Sequence, residues 1–326
     1  MVTGPLFAVE DLHVTFAMRA RSVEVLKGVS FDVEAGETVC IVGESGSGKS
    51  MTALAVLGLV PSPGAITGGR ICLEGRELSG MPRKALRGVR GAKISMVFQE
   101  PMSSLNPVLT VGSQVAEVLR QHEGLTSKQA GARVVDLFRA VGIPAAEERA
   151  AAYPHQMSGG MRQRVMIAMA IACRPKLLIA DEPTTALDVT VQKQILQLLK
   201  EIQKQSRMAI LLITHDMGIV SEIGDRVIVM YAGRPVETGA VSDVLGNPRH
   251  PYTSALIACA PRVAAQDARR SRLPEIPGMV PPLERLPRGC AFEPRCPRSV
   301  PACRDAPPPY FGSAARRVAC WLEERR

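Results

Sequence analysis

Aromatic residues are scarce in this chain of 326 residues, at 4% of the total, with a single tryptophan. Because the hydrophobic content is nevertheless 46%, the core must be aliphatic, and the length allows one large domain with a smaller appendage. Long apolar runs are also absent: the longest, Val165–Cys173, has nine residues, against about 18 for a membrane-spanning helix. A secretory signal begins with a basic stretch followed by an apolar core, and the first residues show no such pattern. We therefore expect a cytosolic protein that does not cross a membrane by itself.

Charge is distributed unevenly along the chain. From Asp243 to the end there are fourteen basic and eight acidic residues, a net charge of +6 out of the +9 of the whole sequence. A solvated basic surface, contact with anionic lipid headgroups and contact with nucleic acid are the interpretations that such a tail allows.

The most informative stretch runs from Thr38 to Leu59 and fits G-x-x-x-x-G-K-[ST] at every position of Gly43–Ser50. An apolar, strand-like run precedes this phosphate loop (Gly43–Ser50), and an Ala- and Leu-rich helix follows it. The backbone N–H groups of such a loop enclose a polyphosphate, Lys49 lies near the β- and γ-phosphates, and Ser50 offers a hydroxyl to Mg²⁺. The predicted nucleotide-binding residues here are Gly43, Glu44, Ser45, Gly46, Ser47, Gly48, Lys49, Ser50 and Met51.

The rest of the chain is predicted to be α/β with a helical insertion. Residues 6–16 and 23–34 alternate apolar and polar side chains, which predicts antiparallel strands, and a further strand is expected at Arg70–Glu74. Apolar residues recur at helical spacing from Val111 to about Gly142, with a break at His122–Ser127.

A second helix start of anion-binding character lies at Ser158-Gly159-Gly160, before the apolar helix Val165–Cys173. The phosphate loop already holds phosphates from one side. A second phosphate-binding surface therefore indicates that this chain contacts a nucleotide bound to another subunit. A plain helix cap is the alternative interpretation.

Carboxylates follow a buried strand at Leu177–Glu182. A continuous apolar run of this kind predicts a parallel strand, at whose carboxyl end nucleotide chemistry takes place. Asp181 is then expected to hold Mg²⁺ through water, and Glu182 to polarise the attacking water. His215, after the strand Ala209–Ile213, is interpreted as a γ-phosphate contact.

In order and spacing, these residues resemble the nucleotide-binding subunit of ATP-binding cassette (ABC) transporters over roughly residues 6–245. The matching motifs are Walker A (Gly43–Ser50), the Q-loop (Gln99), the signature (Ser158–Gly160), Walker B (Leu177–Glu182), the D-loop (Ala186–Asp188) and the switch histidine (His215). The resemblance implies a RecA-like α/β core with an antiparallel β subdomain and a helical subdomain at about residues 103–170. It also implies ATP sandwiched between two subunits, catalytic roles for Glu182, His215 and Gln99, and Mg²⁺ at Ser50, Gln99 and Asp181.

Three stretches resemble the oligopeptide and dipeptide importer branch: Phe98–Pro107, Tyr153–Gln156 and Arg249–Thr253. The third begins a C-terminal extension, so the predicted domains are 1–245 and 246–326. The resemblance implies an ATPase at the cytoplasmic face of the inner membrane, with a second, different ATPase subunit, two permease subunits and, indirectly, an extracytoplasmic peptide-binding protein. A soluble ABC protein acting on ribosomes or nucleic acid, an importer ATPase for another solute such as nickel, and an unrelated kinase are the alternatives; no nucleic acid partner is expected.

Two details depart from the family pattern or leave it open. The signature has Met157 where Leu is usual and Met161 where Gln is usual. The aromatic residue that stacks on adenine is expected at Phe16, with Val23 as the alternative loop position.

Four of the eight cysteines, Cys290, Cys296, Cys303 and Cys320, stand at C-x₅-C-x₆-C-x₁₆-C in the tail. Disulfides are not expected in a reducing cytosol, and zinc favours tighter C-x₂₋₄-C pairs. A [4Fe–4S] cluster suits four thiolates on a loose loop, and the resembling importer ATPases carry such a set; zinc and free thiols are the alternatives. Because the cysteines are far in sequence from every ATP motif, the predicted role is structural.

Overall fold

The structure, a computed structural model, describes residues 4–18, 21–99, 104–185, 187–260 and 275–324. Two pieces of the predicted motifs, Glu100–Ser103 and Ala186, lie outside the described residues. The chain forms two compact units. The first comprises Met1–Phe7, Val33–Glu37 and Leu73–Leu212, and the second Ala8–Asp32, Thr38–Cys72 and Ile213–Arg326.

The described strands are β1 (Phe7–Met18), β2 (Arg21–Val33), β3 (Thr38–Val42), β4 (Gly64–Leu73), β5 (Arg76–Glu77), β6 (Ile94–Val97), β7 (Leu177–Asp181), β8 (Ala209–Thr214), β9 (Arg226–Tyr231), β10 (Arg234–Ala240), β11 (Phe311–Ser313) and β12 (Arg316–Val318). The described α-helices are α1 (Lys49–Val56), α2 (Arg83–Arg87), α3 (Val111–Glu123), α4 (Ser127–Ala140), α5 (Ala146–Ala150), α6 (Gly159–Ile171), α7 (Val189–Ser206), α8 (Met217–Ile223), α9 (Val241–Gly246), α10 (Pro251–Cys259) and α11 (Ala302–Asp305). Short 3₁₀ turns lie at Pro154–Gln156, Leu283–Arg285, Glu293–Arg295 and Trp321–Glu323.

In the first unit, β6 and β7 pair in parallel, and β7 lies between β6 and β8. Every residue of β7 is buried, as its continuous apolar sequence requires for a strand covered on both faces. The helical insertion consists of α3 to α6. Its predicted break is real: Thr126 caps α4 through a reciprocal pair of hydrogen bonds with Gln129.

In the second unit, β3 is parallel to β9, and β9 is antiparallel to β10. The sheet continues beyond β10 with β12 and β11, which come from the last sixteen residues of the chain. The unit therefore uses part of the C-terminal extension as sheet edge. The strands β2, β1 and β4 form a separate sheet in that order.

Most predicted elements lie within a few residues of their expected places, but β4 was placed wrongly. The sequence predicted this strand at Arg70–Glu74, whereas it begins at Gly64 and ends at Leu73. Its early part is held across the sheet, where the hydroxyls of Thr67 and Thr15 hydrogen-bond at 3.0 Å. Tertiary pairing here overrides the local preference of a Pro- and Gly-rich segment for a turn.

None of the helices in the described ranges combines the length and apolar character that a membrane crossing needs.

Candidate functional site

The phosphate loop connects the buried strand β3 to α1 in the second unit. Gly43 has φ +155°, and a methyl group added to it would lie 2.3 Å from the carbonyl oxygen of Met230. No L-side chain fits there, so glycine is required where the chain leaves the strand. Gly48 caps α1 in the left-handed conformation with no side-chain cap on the first turn. The backbone therefore turns as a phosphate-binding loop requires.

Lys49 is buried at the first position of α1. Its Nζ donates to the carbonyl oxygens of Gly43 and Glu44, both at 2.9 Å. These bonds hold the ammonium group against the first two residues of the loop. Ser50, the predicted Mg²⁺ contact, is exposed one residue further along.

Glu44 is held by Tyr252 and Arg295, two residues for which no role was predicted. Its backbone N–H donates to the hydroxyl of Tyr252 at 2.8 Å. Its two carboxylate oxygens accept from Arg295 at 2.7 and 3.0 Å, a bidentate pair. The motif predicted Glu44 as part of the nucleotide cradle; in the structure its amide and its side chain are both bound to the C-terminal part of the chain.

Arg295 and Tyr252 belong to a buried aromatic cluster. Tyr231 packs edge to face with Tyr252 and with Phe292, and these two rings are tilted against each other; the ring centroids lie 4.7 to 5.3 Å apart. Arg295 lies about 6 Å from the ring centres of Tyr231 and Phe292, and its Nε donates to the carbonyl oxygen of Pro277 at 2.9 Å. The hydrogen bonds to Glu44 raise the pKa of Arg295 above its usual value. Of these residues, only Tyr252 lies in a stretch that the sequence singled out (Arg249–Thr253), and that stretch predicted no packing.

A buried carboxylate ties the start of the extension to the sheet. Glu237, fully buried on β10, accepts from the backbone N–H groups of Arg249 and His250, each at 2.9 Å. Arg249 pairs in turn with Glu323 near the chain end. His250 is buried and its Nδ1 accepts from the N–H of Tyr252 at 3.0 Å, and burial lowers the pKa of His250 to about 3.

In the first unit, the structure brings together two residues predicted as catalytic. Gln99 Nε2 donates to Glu182 Oε2 at 3.0 Å, and the hydroxyl of Thr185 donates to the same oxygen at 2.8 Å. Glu182 has φ +46°, an uncommon conformation for a side chain of its kind. Asp181 precedes it as the buried last residue of β7. Two carboxylates thus stand at the carboxyl end of a parallel strand, as predicted.

The signature turn (Ser158–Gly160) opens α6 in the same unit. Ser158 Oγ accepts from the N–H of Met161 at 3.3 Å, so the serine is a helix cap in this structure. A methyl group on Gly160 would lie 2.8 Å from Cγ1 of Val191, whereas one on Gly159 would have only an ordinary contact with Leu187 at 3.8 Å. Ser158 and Gly159 are exposed.

The remaining predicted residues lie in the second unit. His215 is exposed after β8, beside Asp216, which caps α8. Phe16 lies half-buried on β1 with its ring against Gly64, while Val23 is buried at 8% exposure. Of the two candidates for the adenine contact, Phe16 is therefore the more exposed.

The four tail cysteines lie in one region, and Cys290 N–H donates to the carbonyl oxygen of Cys303 at 2.8 Å. Burial raises the pKa of the Cys290 thiol to about 11, and the nearby cysteines contribute. Over the residues that the structure describes, no three His, Cys, Asp or Glu side chains are arranged to hold a metal ion. The thiols as placed do not fit an iron–sulfur cluster or zinc, and the structure does not support that prediction.

The cysteine segment is far from the phosphate loop in sequence, as noted above, but part of it contacts that loop in the folded chain. Arg295 stands next to Cys296 and binds Glu44 in the phosphate loop. The fold therefore brings together two residues, Glu44 and Arg295, that are about 250 positions apart in the sequence.

Comparison with known proteins decides the family. Residues 26–185 match the family model described as "ABC transporter", and residues 236–303 match "Oligopeptide/dipeptide transporter, C-terminal region". The dipeptide transport ATP-binding protein DppD of Bacillus subtilis is 47% identical over 323 residues, which cover 98% of this chain and 96% of the relative. The chain belongs to the ABC transporter family.

A second relative of this ABC protein is the oligopeptide transport ATP-binding protein OppD of Salmonella typhimurium. It is 50% identical over 316 residues, covering 97% of this chain and 93% of OppD. The chain is thus an ATP-binding subunit of an ABC transporter, an ATPase.

Solved structures confirm the α/β fold of an ABC ATPase. A dimeric ATP-binding cassette solved in a post-hydrolysis state with ADP and Pi has a TM-score of 0.64 and 30% identity, covering 72% of this chain and 98% of that one. The cbiO1 protein of Clostridium perfringens, part of an ABC transporter complex, gives the same TM-score and identity over 74% of this chain and 91% of its own. These matches cover about three quarters of this chain.

Proposed function

We propose that this ABC ATPase powers the import of di- or oligopeptides. The observation that carries the proposal is the likeness to dipeptide and oligopeptide transport ATP-binding proteins over nearly the whole chain, including the C-terminal region. It favours peptide import over action on ribosomes or nucleic acid and over a kinase.

ATP is the substrate, and we propose the following roles for the motif residues in its hydrolysis. Lys49 and the N–H groups of the phosphate loop bind the phosphates. Mg²⁺, when bound, neutralises charge on the phosphates, and the oxygen ligands of Ser50, Gln99 and Asp181 suit it. Glu182, oriented by Gln99 and Thr185, accepts a proton from the attacking water, and His215 contacts the γ-phosphate.

We further propose that Phe16 stacks on the adenine ring and that Ser158, Gly159 and Gly160 serve the nucleotide of a partner subunit. The exposure of Ser158 and Gly159 supports this, because a cap alone requires no free surface. The resembling cassette whose structure is dimeric gives a precedent for such a pair. The partner is expected to be a second, different ATPase subunit.

The working assembly is an ATPase pair bound peripherally at the cytoplasmic face of the inner membrane to two permease subunits, with a peptide-binding protein outside. Residues 1–245 form the ATPase domain and 246–326 the extension. Gln99, between β6 and the helical insertion, links nucleotide to permease. Gln99→Ala is expected to lose transport to a greater extent than ATP hydrolysis, so that the ATPase activity that remains is uncoupled from peptide uptake.

Co-purification and reconstitution test the function. The chain, its partner ATPase and the permeases are placed in proteoliposomes, and uptake of labelled peptides is followed with and without ATP. ATP-dependent peptide uptake is expected. ATPase activity stimulated by ribosomes or nucleic acid instead, or uptake of nickel alone, would replace the proposal with one of the alternatives.

The chemical state of the tail cysteines is a separate and finer question. Anaerobically purified protein with broad absorbance near 400 nm that Cys296→Ser removes would establish a cluster. Colourless protein with stoichiometric zinc would establish a zinc site, and metal-free protein would leave four thiols, the arrangement that the described side chains have.

A further inference from the structure

Arg295 lies at a position from which it can act on the phosphate loop. Its side chain is 4% exposed and binds both carboxylate oxygens of Glu44. Glu44, in turn, offers its carbonyl oxygen to Lys49 Nζ at 2.9 Å. One residue of the loop therefore connects Arg295 to the ammonium group that we assign to the phosphates.

The pair has an electrostatic consequence for a loop that binds a polyanion. Glu44 carries a negative charge within the phosphate loop, and Arg295 compensates it with two charge-assisted hydrogen bonds. Without Arg295, the carboxylate would repel phosphate groups and would lose the partner that fixes its orientation. The Tyr252 hydroxyl holds the backbone of the same residue from the other side.

The surroundings of Arg295 make it a rigid support. Its guanidinium also donates to the carbonyl oxygens of Pro277 and Ile276, at 2.9 and 3.3 Å, and lies against Tyr231 and Phe292. A surface ion pair contributes little because water and side-chain freedom compete with it, but this guanidinium is buried and fully engaged.

We propose that Arg295 is a positioning residue for ATP binding, acting through Glu44 to hold the first turn of the phosphate loop. The C-terminal extension thereby completes the nucleotide site of its own chain. The inference rests on the proposed role of Gly43–Ser50 as the phosphate loop, and it assigns the extension a part in ATP affinity.

The experiment is a double-mutant cycle on the full-length chain. The dissociation constant of a fluorescent ATP analogue with Mg²⁺ is measured for wild type, Arg295→Ala, Glu44→Gln and the double variant. Arg295→Ala is expected to weaken binding about tenfold. The double variant should recover to within about twofold of wild type, because removing both partners leaves no uncompensated charge. Steady-state kinetics should show the loss in KM and not in kcat.

Two further variants control for folding. Arg295→Lys keeps the charge but not the planar fork, and it should lose part of the affinity even if Arg295→Ala does not fold. Arg304→Ala removes an exposed arginine of the same segment, whose partner is Glu293, and should bind as wild type does. Melting temperatures are measured without nucleotide. A variant whose melting temperature falls together with its affinity has lost stability and not only nucleotide binding.

Three outcomes would overturn the inference: wild-type affinity in both Arg295 variants, additive effects in the cycle, or a double variant as weak as Arg295→Ala. Lys49→Ala separates this failure from that of the proposed function. If Lys49→Ala binds the analogue normally, the phosphate-loop assignment is wrong; if it loses binding while Arg295→Ala does not, only the role of Arg295 is wrong.

Discussion

Two helix starts in this chain carry glycines where a phosphate can bind, and the structure supports them differently. The phosphate loop is held by its own chain: Gly43 is closed in by Met230, and Glu44 is bound by Tyr252 and Arg295. The signature turn has its own serine cap and an exposed Ser158 and Gly159. The phosphate loop can therefore hold its shape without a second subunit, whereas the exposed signature turn suits a ligand that a second subunit presents.

The largest effect is expected for a variant that keeps ATP binding but loses ATP hydrolysis. Glu182→Gln should bind ATP as the wild type does, because the phosphate loop is unchanged, while turnover falls by about 10²-fold or more through loss of the base. Nucleotide affinity and phosphate release are measured in parallel. Glu201→Gln, at an exposed position of α7, is the matched control and should change neither. Normal turnover in Glu182→Gln would remove that residue from the mechanism.

Substituting one glycine in each helix start sharpens the contrast. Gly43→Ala should lower the free energy of unfolding by about 3 kcal/mol and weaken ATP binding, since its methyl group would overlap the Met230 carbonyl. Gly159→Ala should leave both unchanged in the single chain, because its methyl group makes an ordinary contact. Urea unfolding and nucleotide titration check both variants. Equal losses would show that the two turns are equally constrained.

The exposed turn is tested in a mixed assembly. Ser158→Arg, combined with an intact partner ATPase, should disable one nucleotide site and keep the other, so that about half of the bound nucleotide is hydrolysed. Single-turnover hydrolysis in the complex measures this fraction, with Ser158→Thr as the control that keeps the cap. Full activity in the Ser158→Arg assembly would mean that the serine is a cap and nothing more.

The smallest effect concerns the support behind the phosphate loop. Because the folded pKa of His250 is about 3, below its ordinary value, the unfolded chain binds more protons between about pH 3 and 6.5. Stability contributed by the neutral imidazole is complete above that range and should fall as the pH drops through it, by up to about 1.4 kcal/mol per unit.

Chemical unfolding at pH 7 and pH 5 measures this slope. His250→Asn should flatten it, since Asn can accept the same bond from Tyr252 N–H without titrating. An unchanged slope in that variant would assign the acid sensitivity to other groups.

The sequence by itself determined the local chemistry of this ABC ATPase. Motif spacing and hydrophobic periodicity located the strand before the phosphate loop, the break between α3 and α4, and the carboxylates after β7, because each of these depends on neighbouring residues. It also predicted that Gln99 and Glu182 act in one mechanism. In the structure, Gln99 Nε2 lies 3.0 Å from Glu182 Oε2.

Only the tertiary structure decided which residues contact and support the phosphate loop. The start of β4 and the contacts of Arg295 and Tyr252 with Glu44 join residues that are far apart along the chain. Periodicity and motif spacing report on short separations, so an isolated arginine in a proline-rich tail gives no signal of its partner. The packing of Tyr231, Tyr252 and Phe292 brings that arginine to the loop, and this arrangement exists only in the folded chain.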